Sequence, residues 1–122
     1  MLFRSVAAAD PANCLPPFLP LTPPAGRTLV LGAGKAAARM AATVAAHYAA
    51  HGLGPVWGAV VTRYGHGLAP GERAPGIEIL EAGHPVPDNA SVAAGSRLLE
   101  LARESCPAED RKSTRLNSSH RL

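Results

Sequence analysis

Residues 28–41 read Thr-Leu-Val-Leu-Gly-Ala-Gly-Lys-Ala-Ala-Ala-Arg-Met-Ala, and this stretch decides the fold. The opening apolar run suits a short strand buried on both faces of a parallel sheet. Gly-Ala-Gly makes a tight turn, and the alanines that follow are strong helix formers. Lys35 sits at this strand-to-helix junction and is the only lysine in residues 1–109, where every other permanent cation is arginine. Junctions of this kind bind anions: glycines let a ligand approach the backbone, the helix N-terminus offers unpaired N–H groups, and a lysine adds a mobile full charge.

Working outward, residues 2–9 predict a short helix with Leu2, Val6 and Ala9 on one face, ended by Asp10-Pro11. Six of the twelve prolines then fall between Pro11 and Pro24, which predicts an extended connector, because each removes a donor and restricts the residue before it. After the Thr28–Leu31 strand, a helix is predicted from Lys35 to about His51. Met40, Val44 and Tyr48 lie at four-residue steps along it, and Gly52-Leu53-Gly54-Pro55 stops it. Val56–Thr62 and Ile77–Glu81 read as two further strands. Asn89–Ser105 reads as an amphipathic helix with Val92, Leu98, Leu99 and Leu101 toward the core, capped by Asp88, Asn89 or Ser91.

This order argues for an α/β layer with a mostly parallel sheet. Right-handed crossovers place the strand-end loops Gly32–Lys35, Arg63–Gly67 and Gly83–Asp88 at one edge, where open α/β sheets bind ligands.

The last thirteen residues, 110–122, change abruptly from Ala/Gly/Pro/Leu-rich to Asp-Arg-Lys-Ser-Thr-Arg-Leu-Asn-Ser-Ser-His-Arg-Leu. Residues 110–120 are what one frame of a common sequencing-library adapter translates to, so the tail is expected to be read-through rather than native protein. The alternative is a natural disordered basic tail. Without the tail, the basic side chains fall from 12 to 8 and the acidic ones from 9 to 8, so the net charge drops from +3 to zero. The alkaline character then points to neither nucleic acid nor an anionic membrane.

Residues 1–109 are expected to be part of a longer chain. A truncated parallel sheet predicts an apolar strand edge left unpaired and poor solubility. No stretch approaches the ~20 apolar residues of a membrane span, and no signal peptide is evident, so the expectation is a soluble cytoplasmic protein. Cys14 and Cys106 have no partner at metal-ligand or framework spacing and are expected to be inert thiols.

The turn Gly32-Ala33-Gly34-Lys35-Ala36-Ala37 fits the loose dinucleotide pattern G-x-G-x-x-[GA]. The ribose-binding acid expected at the end of the second strand is missing, since Thr62-Arg63 stand there, although an arginine can take a 2′-phosphate. It is not a Walker A loop. The glycines alone satisfy a structural turn; Lys35 is what they leave unexplained. His66 and His84, both in strand-end loops, can bind a substrate hydroxyl or act as acid or base, against the commoner role of bracing a loop. His47 and His51 are four apart on a helix but lack a third ligand and are expected to be solvated. Asp88 reads as a helix cap, with a metal-ligand or base role as the alternative.

Three motifs taken together resemble the glycerate 2-kinase family: Leu-Gly-Ala-Gly-Lys-Ala-Ala-Ala-Arg-Met-Ala (31–41), Val-Val-Thr-Arg-Tyr-Gly-His-Gly (60–67) and Glu-Ala-Gly-His-Pro-Val-Pro-Asp-Asn-Ala-Ser (81–91). With the opening Leu-Phe-Arg-Ser-Val-Ala-Ala-Ala-Asp-Pro, the resemblance covers residues 2–105. It implies part of a Rossmann-like N-terminal domain of an enzyme that uses ATP and Mg2+ to phosphorylate the 2-hydroxyl of glycerate. The family's active-site lysine falls on Lys35. Gly32, Gly34, His66 and His84 match positions expected to line the substrate or phosphate pocket. The family's magnesium-binding acids and an arginine are expected well beyond residue 109, so the chain by itself is expected to be inactive and to hold no metal. Family members are often labelled hydroxypyruvate reductases, which makes an NAD(P)H-dependent oxidoreductase the runner-up. A stand-alone anion- or nucleotide-binding module is the third reading.

Overall fold

The computed structural model describes residues 2–105 and the strand formed by residues 114–117. The helix α1 spans Leu2–Ala9 and α2 spans Pro11–Cys14, followed by a 3-10 turn at Pro16–Phe18. The strands are β1 (Thr28–Ala33), β2 (Val56–Arg63), β3 (Ile77–Ala82) and β4 (Thr114–Asn117); α3 (Ala37–Ala50) links the first two, and α4 (Asn89–Glu104) follows β3. All pairings are parallel, in the order β3-β2-β1-β4.

The two sheet faces are covered by different helices. On one face Val30, Val56, Val60 and Ile77 pack with Ala37, Ala41, Val44 and Tyr48 of α3. On the other, Leu29 and Ala59 pack with Leu101 of α4. Alternate residues of each strand point to opposite faces, so cover on both sides requires the near-continuous apolar runs seen in β1 and β2. The alanines of α3 let its backbone lie close to the sheet, and Val44 is wholly buried there, contributing about 1.5–3 kcal/mol.

The approach of β2 to β1 depends on Gly58, at φ +148°: a Cβ there would sit 1.9 Å from the Val30 carbonyl oxygen. No other residue fits.

Several sequence expectations are corrected. The proline-rich connector is not extended throughout. Asp10 caps α2 by accepting from the Ala12 N–H, and Pro11 stands in the first turn, where its missing N–H costs nothing. The connector is also held by His47, which is buried rather than solvated: its Nε2 donates to the Pro20 carbonyl at 2.7 Å, and its ring stacks on His51. In α4, Val92 and Leu99 are 68% and 57% exposed, while Ala94 and Leu101 are buried and Leu98 is half-buried. The stripe 94, 98, 101 faces the sheet. Val92 and Leu99, seven residues apart, lie on the flanking stripe, which nothing among the described residues covers. Val6 of α1 is likewise exposed.

The helix predicted from Lys35 begins two residues later, at Ala37, leaving Lys35 in the turn. β3 stands at one edge of the sheet, and the outer edge of β1 carries β4 along Val30–Ala33. That strand lies within residues 110–122. Its pairing is made by backbone groups, which a strand edge offers to any extended segment. Cys14 is an exposed free thiol, and Cys106 lies outside the described residues.

Candidate active site

The carboxyl ends of β1, β2 and β3 lie side by side because the three strands are parallel and in register: Ala33 pairs with Val61, and Arg63 with Ala82. Each strand ends in one of the polar loops, and specific bonds join the loops. Gly34 N–H donates to the Val61 carbonyl at 3.0 Å, and the buried Thr62 hydroxyl donates to the Lys35 carbonyl at 3.3 Å. These two bonds seat the Gly34–Ala36 turn on the end of β2.

Between the loops lies an open cleft of about 390 Å³ lined by, among others, Gly34, Lys35, Thr62, Arg63, His84 and Ser91. Among the described residues its only permanently charged lining side chains are Lys35 and Arg63, and no carboxylate lines it. Neither cation has a salt bridge or side-chain hydrogen bond among the described residues. Arg39 and Arg97, by contrast, are paired, the first with Asp10 and Glu72 and the second with Glu78 and Glu100. No side chain caps the N-terminus of α3 at Ala36, so its positive end opens beside Lys35. Two cations without a partner among the described residues and an uncapped helix N-terminus give this place a positive potential, which attracts negative charge.

A family profile described as a domain of unknown function, DUF4147, matches residues 1–111. The chain belongs to the DUF4147 family. Its relatives carry two kinds of name. A protein named hydroxypyruvate reductase from Agrobacterium vitis is 48% identical over 94 residues, 77% of this chain and 20% of that protein. The D-glycerate 2-kinase of Thermotoga maritima is 39% identical over 98 residues, 80% of this chain and 22% of that protein. A crystal structure of glycerate kinase from Thermotoga maritima superposes with a TM-score of 0.66 at 30% identity, covering 93% of this chain and 25% of that one. The α/β fold and the family resemblance therefore hold. The DUF4147 chain spans about a fifth of the length of the curated relatives it matches.

Within this DUF4147 fold the predicted residues separate. Lys35, Gly34 and His84 share the cleft. Gly32 is buried inside β1, one residue short of the strand end. His66 lies in the exposed loop after β2, with its N–H bonded to the Arg63 carbonyl at 3.0 Å, and it does not line the cleft.

Two contributors were missed as such. The sequence presents Arg63 as a 2′-phosphate partner, yet it is the second cation of the cleft; its place as the last residue of an apolar strand is the signal for that. Thr62 carried no local signal, because its bond to Lys35 spans 27 residues of sequence.

Asp88 is the N-cap of α4 in a reciprocal capping box with Ser91. Its carboxylate also accepts from the Tyr64 hydroxyl at 2.7 Å and the Gly83 N–H at 3.1 Å. These donors hold Asp88 well below the ordinary carboxylate range, at about 2, with Tyr64 the largest cause. The same bond pushes the Tyr64 hydroxyl up from its ordinary value. Glu81 accepts from the Gly65 N–H at 2.7 Å.

Among the described residues no group of three or more His, Cys, Asp or Glu side chains converges to hold a metal ion. No helix among them is long and apolar enough to cross a membrane.

Proposed function

We propose that this chain is part of an ATP-dependent glycerate 2-kinase, and that the cleft at the strand ends takes the carboxylate of glycerate or the phosphoryl group in transfer. The reaction moves the γ-phosphoryl group of ATP to the 2-hydroxyl of glycerate. The hydroxyl oxygen bonds to phosphorus, the bond to the ADP oxygen breaks, and the hydroxyl proton goes to a base or to solvent. Catalysis of such transfers rests on positioning and on charge placed around the phosphoryl oxygens. Lys35 supplies a mobile ammonium, Arg63 a planar guanidinium suited to a carboxylate, and His84 a ring nitrogen within the same cleft. Gly34 lets the substrate approach the backbone at the helix N-terminus.

The observation that carries this reading is a cleft that, among the described residues, no carboxylate lines and whose permanent charges are Lys35 and Arg63. Similarity to the Thermotoga maritima D-glycerate 2-kinase supports it. In this reading the Mg2+ ligands and the rest of the substrate site lie in further sequence of the parent protein, residues 110–122 are adapter read-through, and the 122-residue chain does not turn over. A cytoplasmic location accompanies it.

The second reading, an NAD(P)H-dependent hydroxypyruvate reductase, is favoured by the names of the Agrobacterium vitis relatives. Against its NADH-dependent form stands the end of β2, where Thr62-Arg63 replace the acid that binds the adenosine ribose, whereas an arginine there can take the 2′-phosphate of NADPH.

The deciding experiment assays the complete gene product carrying this segment. ADP release dependent on D- or L-glycerate supports the kinase, and NAD(P)H oxidation with hydroxypyruvate supports the reductase. Ligand binding without either turnover leaves the anion-binding module. Phosphorylation of glycerate by the 122-residue chain would overturn its proposed inactivity.

A further inference from the structure

We propose that Tyr64 and Asp88 form a clamp that sets the width of the cleft, with Tyr64 a positioning residue for the groups that act there. The proposal rests on the kinase reading for its functional consequence but on geometry for its existence.

Asp88 needs no tyrosine to cap α4, because the Ser91 N–H at 3.0 Å and the reciprocal bond from the Asp88 N–H to the Ser91 hydroxyl at 3.1 Å already complete the cap. The Tyr64 hydroxyl is a further donor, brought from 24 residues earlier in the chain and from a different strand-end loop. It reaches the carboxylate although Tyr64 is 55% exposed and could bond to water instead.

Each end of this bond is next in sequence to a residue that lines the cleft. Tyr64 directly follows Arg63, the cation on the β2 side. Asp88 closes the Gly83–Asp88 loop, which contributes Gly83, His84 and Pro87 to the lining. A bond between Tyr64 and Asp88 therefore ties the chain just after Arg63 to the loop that carries His84, beyond the point where the β2–β3 ladder ends.

Two backbone bonds run parallel to it. Tyr64 N–H donates to the Ala82 carbonyl at 3.2 Å, and Gly65 N–H to the Glu81 carboxylate at 2.7 Å. On the far side the loop is wound tightly around the carboxylate: a Cβ on Gly83 would lie 2.7 Å from the Val86 carbonyl oxygen and 3.0 Å from the Asp88 carboxyl carbon. The carboxylate is thus the knot joining the β2 loop, the β3 loop and the first turn of α4.

The test uses Tyr64→Phe, which deletes one hydroxyl and leaves the cap intact, and Asp88→Asn, which keeps a good cap residue but weakens the acceptor. Both are made in the complete gene product. For Tyr64→Phe, kcat with glycerate is expected to fall roughly tenfold with KM for ATP little changed, as for a misplaced but intact site, and the melting temperature to drop only by the small share that one exposed hydrogen bond contributes. The double variant is expected to lose no more than the worse single one, because both act through one bond. An unchanged kcat in Tyr64→Phe, or fully multiplicative losses, overturns the clamp.

If the wild-type protein shows no phosphoryl transfer, the kinase reading fails separately, and the clamp is read from amide spectra of 15N-labelled protein. Shifts at Gly83, His84 and Ser91 on Tyr64→Phe support it. Spectra unchanged beyond the neighbours of Tyr64 sink it.

Discussion

The Thr62 hydroxyl, on a residue only 3% exposed, donates to the carbonyl oxygen of Lys35 across 3.3 Å. This bond fixes the backbone of the catalytic candidate from the end of the neighbouring strand and leaves the Lys35 ammonium free. Together with the bond from Gly34 N–H to Val61, it makes the Gly34–Ala36 turn an extension of the sheet rather than a loose loop.

Thr62→Val is therefore expected to destabilise the protein by about 1 kcal/mol, the ordinary worth of one such hydrogen bond. Affinity for glycerate should weaken with it, because the turn loses its seat. Urea titration and calorimetric binding to the complete gene product measure the two effects, and a loss of stability with unaltered affinity would count against the seating role.

Lys35→Met removes an exposed ammonium that has no partner among the described residues, so the fold should be unaffected. Glycerate-dependent ADP release should fall on the order of 10²-fold or more, the usual cost of losing one preorganised electrostatic contact at a transition state. A variant that melts like the wild type and turns over like it would remove Lys35 from the chemistry.

Gly58→Ala should prevent folding, since the new Cβ would lie 1.9 Å from the Val30 carbonyl oxygen between two central strands. Gly95→Ala makes the matching control: it lies within α4, and a Cβ there meets nothing within 4 Å. It should stabilise by roughly 0.5–1 kcal/mol, the helix advantage of alanine over glycine. Soluble yield and chemical denaturation of the two variants distinguish them.

Acid should loosen the loops before it unfolds the sheet. Asp88 is held down at about 2 from an ordinary 3.8, first by the Tyr64 hydroxyl and then by the Gly83 N–H. Asp10 is lowered chiefly by Arg39, and Glu72 chiefly by the Ala69 N–H and then by Arg39. A depressed carboxylate contributes stability that is present above its unfolded value and is lost as pH falls toward its folded one. For Asp88 that window runs from 3.8 down to about 2. Melting temperatures recorded through it should decline, and less steeply in Asp88→Asn; parallel curves would assign the loss to other groups.

Much of the fold was legible because its signals are local. The apolar runs of β1, β2 and β3, the alanine-rich stretch before Gly52 and the Asp88 cap each announce themselves within a few residues, and the structure keeps them nearly within those bounds. The errors lie where burial depends on distant partners. His47 carries no local mark of being buried; it is so because Pro20 folds back over α3. Val92 and Leu99 look like core residues, but which stripe of α4 meets the sheet is set by the neighbours Leu29 and Ala59, not by the helix.

The candidate site divides in the same way. The order of apolar strands and glycine-bearing loops by itself determined an α/β layer with its polar residues at one edge, because strand burial and crossover handedness follow from local pattern and chain chirality. Lys35 and Gly34 were readable from one turn, and the family from three motifs in order. Only the tertiary structure decided that Arg63 shares the cleft with Lys35 while His66 stands outside it, that Thr62 holds the lysine's backbone, and that Tyr64 closes on Asp88. Those relationships join residues more than twenty positions apart, and only the packing of parallel strands in register brings their side chains together.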